Sequence, residues 1–216
     1  MKKVFISSAL AAFTLLLAAF TNGGYQVGDQ VKDFSLKNTD GKKVSLSDYS
    51  GSKGVIVIFD CNTCPYSKMY NSRIIALHKK YKDSGFPVIT INANDPGMSP
   101  GDSFEAMVSQ AKKKNYDFPY LVDETQEVAR AFGATNTPHV FVLKNENKAF
   151  KVAYIGAIDD NSRDEKAASK KWVEEAVDAL LAGKPVQESK TKAISERRLS
   201  AASSATKRED CGSEPP

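Results

Sequence analysis

Two of the three cysteines in this chain, Cys61 and Cys64, are separated by two residues in the segment FDCNTCPYSKMY. Such a pair can cycle between dithiol and disulfide, form a purely structural disulfide, or supply half of a metal site. A structural disulfide over so short a loop would constrain the unfolded chain little. Zinc would need two further ligands, and only Cys211, His78 and His139 remain. The spacing alone does not decide among these uses, so the rest of the chain must; copper held by two thiolates and one imidazole is a further alternative.

The elements around the pair predict where it sits. The segment GVIVIF, residues 54–59, is apolar throughout, which is typical of a strand buried on both faces. After it, apolar side chains recur every three or four residues as one stripe of a helix, at Tyr66, Tyr70, Ile74, Leu77 and Tyr81. The N-terminus of that helix would stabilise a thiolate and lower a cysteine pKa below about 8.5. Asp60 acts in the opposite direction, because a nearby negative charge disfavours the thiolate.

Strand and helix patterns alternate along the rest of the chain. The segments SGFPVITINAN, FPYLVDE, PHVFVLKN and AFKVAYIGAI predict strands, and the last two form a hairpin. Helices are expected at 99–115, with Ser99 or Asp102 as N-cap, at 125–133, and from about Asp164 to Leu181. Residues 33–49 predict a small hairpin that turns at 40–41. This order indicates an α/β fold with a sheet covered on both faces.

Polar residues elsewhere are candidates for accessory roles. Thr137–Pro138 precedes an apolar strand, and an X–Pro bond can adopt the cis form. His139, beside it, could assist proton transfer near the thiols. We expect His78 to lie at the surface and residues 159–161 to form a solvated turn before the last helix.

The two ends differ from the body of the chain. Residues 1–24 show the basic, apolar, small-residue order of a secretory signal peptide, with an uncleaved membrane anchor as the alternative. Residues 187–216, which include Cys211, are polar and predict a disordered tail. One domain is left at 25–186. The net charge is +4, and the basic residues are spread along the chain without forming a basic stripe, which argues against nucleic-acid binding.

From about Gly28 to Leu181 the sequence resembles the thioredoxin superfamily, and within it the redoxin branch of alkyl hydroperoxide reductase and thiol-specific antioxidant proteins. The resemblance rests on GDQVKDFSLKNTDGKKVSLSDY, CNTCPY, FPYLVDETQEVARAFGA, TPH and YIGAIDDN. It implies a thioredoxin-like fold, with a central mixed sheet, helices on both faces and an N-terminal β-hairpin extension. It also implies that Cys61 is an exposed nucleophile, that Cys64 resolves the mixed disulfide, and that Thr137–Pro138 binds the partner's extended backbone.

The resulting hypothesis is an exported thiol–disulfide oxidoreductase, periplasmic or extracellular, that needs no cofactor. Its partners would be protein dithiols or disulfides, and no stable membrane contact is expected once the signal is cleaved. A first alternative is a peroxiredoxin-like peroxidase with antioxidant activity, in which Cys64, followed by Pro65, reacts with peroxide. A second alternative is a copper carrier without enzymatic activity that uses both thiols and His139. Asp60 and His139 are the candidate accessory residues.

Overall fold

The computed structural model describes residues 23–193. Seven strands and four α-helices follow one another along this part of the chain. They are β1 (Ser35–Asn38), β2 (Lys43–Ser45), β3 (Gly54–Phe59), α1 (Pro65–Tyr81), β4 (Val88–Asn92), α2 (Phe104–Lys114), β5 (Tyr120–Val122), α3 (Glu127–Phe132), β6 (His139–Glu146), β7 (Ala149–Gly156) and α4 (Trp172–Leu181). The strands form one sheet in the order β2-β1-β5-β4-β3-β6-β7.

The sheet is mixed, as the sequence predicts. Strands β3, β4 and β5 run parallel, whereas β6 and β7 form an antiparallel hairpin beside β3. The N-terminal hairpin of β1 and β2 extends the opposite edge through antiparallel pairing with β5. The thioredoxin-like α/β architecture with its hairpin extension is therefore confirmed.

Strand β3 lies in the interior of the sheet, between β4 and β6, and has no exposed residue. Its side chains alternate between two apolar cores, one on each face of the sheet. Val55, Val57 and Phe59 pack with one core, beside Phe132 of α3. Ile56 and Ile58 pack with the other, together with apolar side chains of α1 and α4. Burial on both faces explains why the strand is apolar without interruption.

The helices differ from the predictions mainly at their ends. The N-cap of α2 is Ser103, whose hydroxyl accepts a hydrogen bond from the Ala106 N–H. Asp102 is therefore not the cap, and its side chain is turned inward. The last helix begins at Trp172 rather than near Asp164, because the intervening residues form a loop with one short 3₁₀ turn at Glu165–Ala167.

In the loop after β7, Asp160 is exposed as expected, but Asp159 is buried in an ion pair. Asp159 and Arg73 of α1 are both buried, and their closest charged atoms lie 2.6 Å apart. Arg73 also donates to the carbonyl oxygens of Asn161 and Ser162. His78 was likewise expected at the surface and is buried, where its Nδ1 accepts a hydrogen bond from the Val88 N–H. Neither tertiary partner could be identified from local sequence.

The predicted tail from residue 187 begins too early. The Ile155 N–H of β7 donates a hydrogen bond to the Ser189 carbonyl, and the Ile155 carbonyl accepts one from the Thr191 N–H. The segment around Lys190 therefore pairs in parallel with β7. The Thr191 hydroxyl contacts the Tyr154 hydroxyl and accepts from the Ala157 N–H, and Ala193 is buried. Backbone pairing and one well-placed hydroxyl compensate for the lack of large apolar side chains. The rest of the predicted tail, with Cys211, lies outside the described residues.

The predicted signal peptide also falls almost wholly outside the described residues, which begin at 23. Within residues 23–193, no helix is both long enough and apolar enough to cross a bilayer.

Candidate active site

The cysteine pair occupies the turn between β3 and α1. Cys61 lies just beyond the carboxyl end of the strand, and Cys64 is the N-cap of the helix, followed by Pro65 at its first position. Proline is well suited to that position, where its missing N–H leaves no hydrogen bond unmade. The backbone N–H groups of Tyr66 and Ser67 then face the Cys64 sulfur. The sequence prediction of a thiol pair at a helix N-terminus is confirmed.

The segment before β6 supplies the other wall of the site. The register between β3 and β6 sets Phe59 opposite His139, which brings the cis-linked Thr137–Pro138 beside Cys61. The Thr137 hydroxyl lies 3.2 Å from the Cys61 sulfur. The Cys64 sulfur lies 3.3 Å from the Thr137 carbonyl oxygen, to which it donates a hydrogen bond when it is protonated. Thr137 therefore contacts both sulfurs.

Hydrogen-bond donors converge on Cys61. Its sulfur accepts the Cys64 backbone N–H at 3.3 Å, and the Ser67 hydroxyl lies 3.6 Å away. With the Thr137 hydroxyl, three groups can donate to one sulfur, an arrangement that stabilises a thiolate. Both cysteines are free thiols.

Neither sulfur is open to solvent. Cys61 is 5% exposed and Cys64 is 1% exposed. The expectation of an exposed Cys61 is therefore not met in this conformation, although Cys61 remains the more accessible of the two. Its burial follows from the contact with Thr137, since the segment before β6 covers the sulfur.

The two thiols share one negative charge. The neighbouring Cys61 thiol and the N–H groups of the first helical turn lower the pKa of Cys64 to about 5. The hydrogen bond to Cys64, burial and the adjacent Asp60 raise the pKa of Cys61. The pair thus loses its first proton readily and keeps its second. The charge rests mainly on Cys64, and the remaining proton lies between two neighbouring sulfurs.

Asp60 places a second acid next to the pair. The side chain is 5% exposed, and burial raises its pKa to about 7. The Ser67 hydroxyl opposes this rise by hydrogen bonding to the carboxylate. Oδ1 of Asp60 is buried without a hydrogen-bond partner. A carboxyl group in this state can hold or release a proton at neutral pH.

His139 does not fit the role of a proton donor. Its ring packs against Phe141 with the ring centroids 4.7 Å apart, and its Nδ1 is buried without a hydrogen-bond partner. Burial lowers its pKa to about 4, so the imidazole is neutral at physiological pH. Within residues 23–193, no group of three or more His, Cys, Asp or Glu side chains is arranged to hold a metal ion. The geometry therefore gives the copper alternative no support.

Sequence reasoning missed two polar contributors to the site. Ser67 reaches both Asp60 and Cys61 from one turn into α1. Its spacing, three residues after Cys64, was the only available signal. Asp102 bonds to the Asn62 N–H and the Thr63 hydroxyl, between the two cysteines. Nothing local to its sequence indicated that contact.

Comparison with known proteins places this geometry in a family. Residues 27–155 match the AhpC/TSA family. The chain belongs to that family, and its redoxin character is confirmed.

Individual relatives agree with this assignment. The chain is 25% identical over 150 residues to the thiol-disulfide oxidoreductase ResA of Bacillus cereus, covering 68% of this chain and 80% of that protein. It is 34% identical to an uncharacterized conserved protein from Geobacillus kaustophilus, with a TM-score of 0.77 and coverage of 83% and 94%. A putative thiol:disulfide interchange protein DsbE from Chlorobium tepidum, 22% identical with a TM-score of 0.53 and coverage of 72% and 98%, shares the fold. These similarities agree with the predicted enzyme class, an oxidoreductase acting on thiols and disulfides.

Proposed function

We propose that this protein is an exported thiol–disulfide oxidoreductase that uses Cys61 and Cys64 as its redox couple. The observation that carries the proposal is the arrangement of two free thiols at a helix N-terminus, both in contact with Thr137 of the cis-linked Thr137–Pro138. Its similarity to ResA of Bacillus cereus supports protein thiols and disulfides as the substrate class.

In the proposed reaction, Cys61 is the nucleophile. The remaining proton moves from Cys61 towards Cys64, and the Cys64 N–H and the Thr137 hydroxyl stabilise the Cys61 thiolate that results. This thiolate attacks a partner disulfide, one sulfur of which leaves as a thiolate and takes up a proton. Cys64 then attacks the mixed disulfide, releases the second partner thiol and closes the Cys61–Cys64 disulfide. Two electrons pass to the partner together with the one proton that the pair still holds, the second proton comes from solvent, and the cycle runs in reverse with a dithiol donor.

Asp60 would accept the proton that Cys64 must lose before it attacks the mixed disulfide. Its pKa of about 7 lets it accept the Cys64 proton during resolution and return it when the disulfide is reduced. Thr137–Pro138 would bind the substrate chain, because it borders Cys61 at the sheet edge. Since Cys61 is 5% exposed, we expect Thr137–Pro138 to shift away from the sulfur when a partner binds, while it stays in contact with the partner.

A second candidate function is peroxide reduction at Cys64. The observation that favours it is the position of Cys64 at the N-cap of α1, where the Cys61 thiol and the N–H groups of the first helical turn lower its pKa to about 5 and favour the thiolate at neutral pH. A Cys64 thiolate would attack one peroxide oxygen, expel water or an alcohol, and become a sulfenic acid. Cys61 would then displace water from the sulfenic acid and form the same disulfide. A dithiol donor would restore both thiols.

Single cysteine variants separate the two candidates. All are made in a Cys211→Ser background, so that the third thiol cannot contribute. Disulfide exchange through Cys61 predicts that Cys64→Ser accumulates covalent mixed disulfides with an oxidised protein substrate, because the resolving step is missing. Cys61→Ser should trap almost none. Non-reducing gels measure the trapped species, and the Cys61→Ser/Cys64→Ser double variant is the control.

Peroxidase chemistry predicts the reverse pattern. Hydrogen peroxide would convert Cys64 to a sulfenic acid rapidly even in the Cys61→Ser variant, and dimedone labelling followed by mass spectrometry would detect it. Rapid labelling of Cys64 without trapping at Cys61 would replace the exchange mechanism with the peroxidase one. Trapping at Cys61 with slow labelling of Cys64 would support exchange.

Export is part of the proposal and rests on the signal-like residues 1–24. Expression in a bacterial host, followed by fractionation and N-terminal sequencing, should find the protein outside the cytoplasm with a new N-terminus between 20 and 25. An intact N-terminus in the membrane fraction would point to the uncleaved anchor. An intact chain in the cytoplasm would contradict export.

A further inference from the structure

A buried carboxylate outside the cysteine segment accepts hydrogen bonds from the turn between the two thiols. Asp102, in the loop between β4 and α2, is 2% exposed. Five groups donate hydrogen bonds to it: the Asn62 N–H at 2.6 Å, the Thr63 hydroxyl at 2.6 Å, the Ser99 hydroxyl at 2.7 Å, the Asn94 side-chain amide at 3.0 Å and the Asn92 side-chain amide at 3.1 Å. Two of these donors are the residues that separate Cys61 from Cys64.

The same loop holds the turn through further contacts. The Asn62 side chain donates to the Gly101 carbonyl and accepts from the Tyr120 hydroxyl. A Cβ at Gly101 would lie 2.7 Å from Cγ2 of Thr63, so the close approach of the two segments requires glycine. The turn is therefore fixed from one side by a loop about 40 residues away in sequence.

Asp102 carries its charge inside this network. Burial raises the pKa of Asp102, but the hydrogen bonds from Thr63, Asn94 and Ser99 outweigh that effect, and the net pKa is lowered. Its five donors are neutral groups, and it takes part in none of the ion pairs found within residues 23–193. A negative charge that no cation neutralises thus lies beside the thiol pair, where it disfavours a thiolate.

We propose that Asp102 is a positioning residue for the redox couple, whose ionised carboxylate fixes the Asn62–Thr63 turn and destabilises the ionised dithiol form. The inference rests on the proposed exchange function. An enzyme whose reduced form is destabilised is a stronger reductant, because the reduction potential of the couple becomes more negative. Asp102 would therefore bias the couple towards donating electrons.

The test is the equilibrium of the couple with glutathione in Asp102→Asn, made in the Cys211→Ser background. Asparagine keeps the shape of the side chain and one oxygen that can accept from the Asn62 N–H, but removes the charge. The equilibrium constant for reduction should rise by a factor of three to about ten, where tenfold is about 30 mV. The first thiol ionisation, followed by thiolate absorbance at 240 nm, should move to lower pH.

Two control variants separate charge from structure. Asp117→Asn removes an exposed carboxylate elsewhere on the surface and should leave the equilibrium unchanged. Thr63→Val removes one hydrogen-bond donor from Asp102, so the negative charge of Asp102 is less well compensated. The equilibrium constant for reduction should therefore fall slightly, opposite to the rise expected for Asp102→Asn. Simple loosening of the turn would instead move Thr63→Val and Asp102→Asn the same way. That result, or an Asp102→Asn equilibrium within a factor of two of the parent, would overturn the proposal.

Thr63→Val also serves if Asp102→Asn does not fold, since it changes only a partly exposed side chain. A shift towards easier reduction, or none, would then contradict the inference. Failure of the proposed function looks different: the parent protein would form no Cys61–Cys64 disulfide in any glutathione buffer. A parent that forms the disulfide, with an unresponsive Asp102→Asn, would refute only the role of Asp102.

Discussion

The raised pKa of the buried Asp60 carboxyl group predicts that the free energy of unfolding depends on pH. It is 5% exposed, its Oδ1 has no hydrogen-bond partner, and burial raises its pKa from 3.8 to about 7. In the unfolded chain the group ionises near 3.8, whereas in the folded protein it stays protonated to about pH 7. The folded state therefore binds more protons than the unfolded state between these two values, and its stability falls as pH rises through that window.

The size of the effect follows from the same values. A pKa difference of about 3, at about 1.36 kcal/mol for each pH unit, corresponds to about 4 kcal/mol. Above pH 7 the folded protein must accommodate a buried charge that the unfolded chain exposes to water. Asp60→Asn should remove this cost, because the amide is neutral at every pH. The variant should therefore gain up to about 4 kcal/mol over wild type between pH 4 and pH 8.

The assay is urea unfolding of the reduced proteins at several pH values, with the free energy of unfolding compared between wild type and Asp60→Asn. Comparing the pair cancels other titrating groups, including His139, whose lowered pKa reduces stability as pH falls. Asp102→Asn is the matched control: because the pKa of Asp102 is lowered from 3.8, this group titrates below the pH range of the assay, and its difference from wild type should not vary between pH 4 and pH 8. Parallel curves for wild type and Asp60→Asn would refute the assignment of Asp60 as a neutral buried acid.

Two further predictions concern elements that hold the site in place. Arg73→Ala should lower the free energy of unfolding by about 3–5 kcal/mol in a denaturant experiment, because it leaves the buried Asp159 unpaired. Lys80 is half-exposed, so Lys80→Ala should cost at most about 1 kcal/mol in the same experiment. Ending the chain after Gln187 should cost about 1–3 kcal/mol relative to a chain ended after Ala193, because the pairing with Ile155 is lost, and equal melting temperatures for the two would contradict this.

Much of the architecture could be predicted because it follows from local patterns. The unbroken apolar run of β3 identified a central strand, and the stripe of α1 placed the helix after it. These signals depend only on neighbouring residues and on which face is buried. The position of Cys61 and Cys64 at the strand-to-helix turn followed directly. The contribution of Thr137–Pro138 came from resemblance, since its approach to Cys61 spans 76 residues.

What could not be predicted depends on burial of polar groups, which a local pattern does not encode. In sequence, Asp102 is an ordinary candidate for a helix cap, and in the fold it bonds to residues about 40 positions away. Similarly, Asp159 belongs to a polar run typical of a turn, yet it is paired with Arg73 of α1. Burying a polar side chain costs free energy unless the fold supplies its partners. Such partners are known only after the elements have packed.

The two carboxyl groups beside the thiols would have opposite effects because their hydrogen bonding differs. Asp102 accepts five hydrogen bonds and stays ionised, so its charge is constant through the catalytic cycle. Asp60 has one oxygen without a partner and is poised to change its protonation near pH 7. A fixed charge can set a reduction potential but cannot transfer a proton, whereas a group that titrates at neutral pH can do so. Asp102→Asn should therefore move the potential but keep the inflection near pH 7 in the pH profile of exchange, whereas Asp60→Asn should remove that inflection.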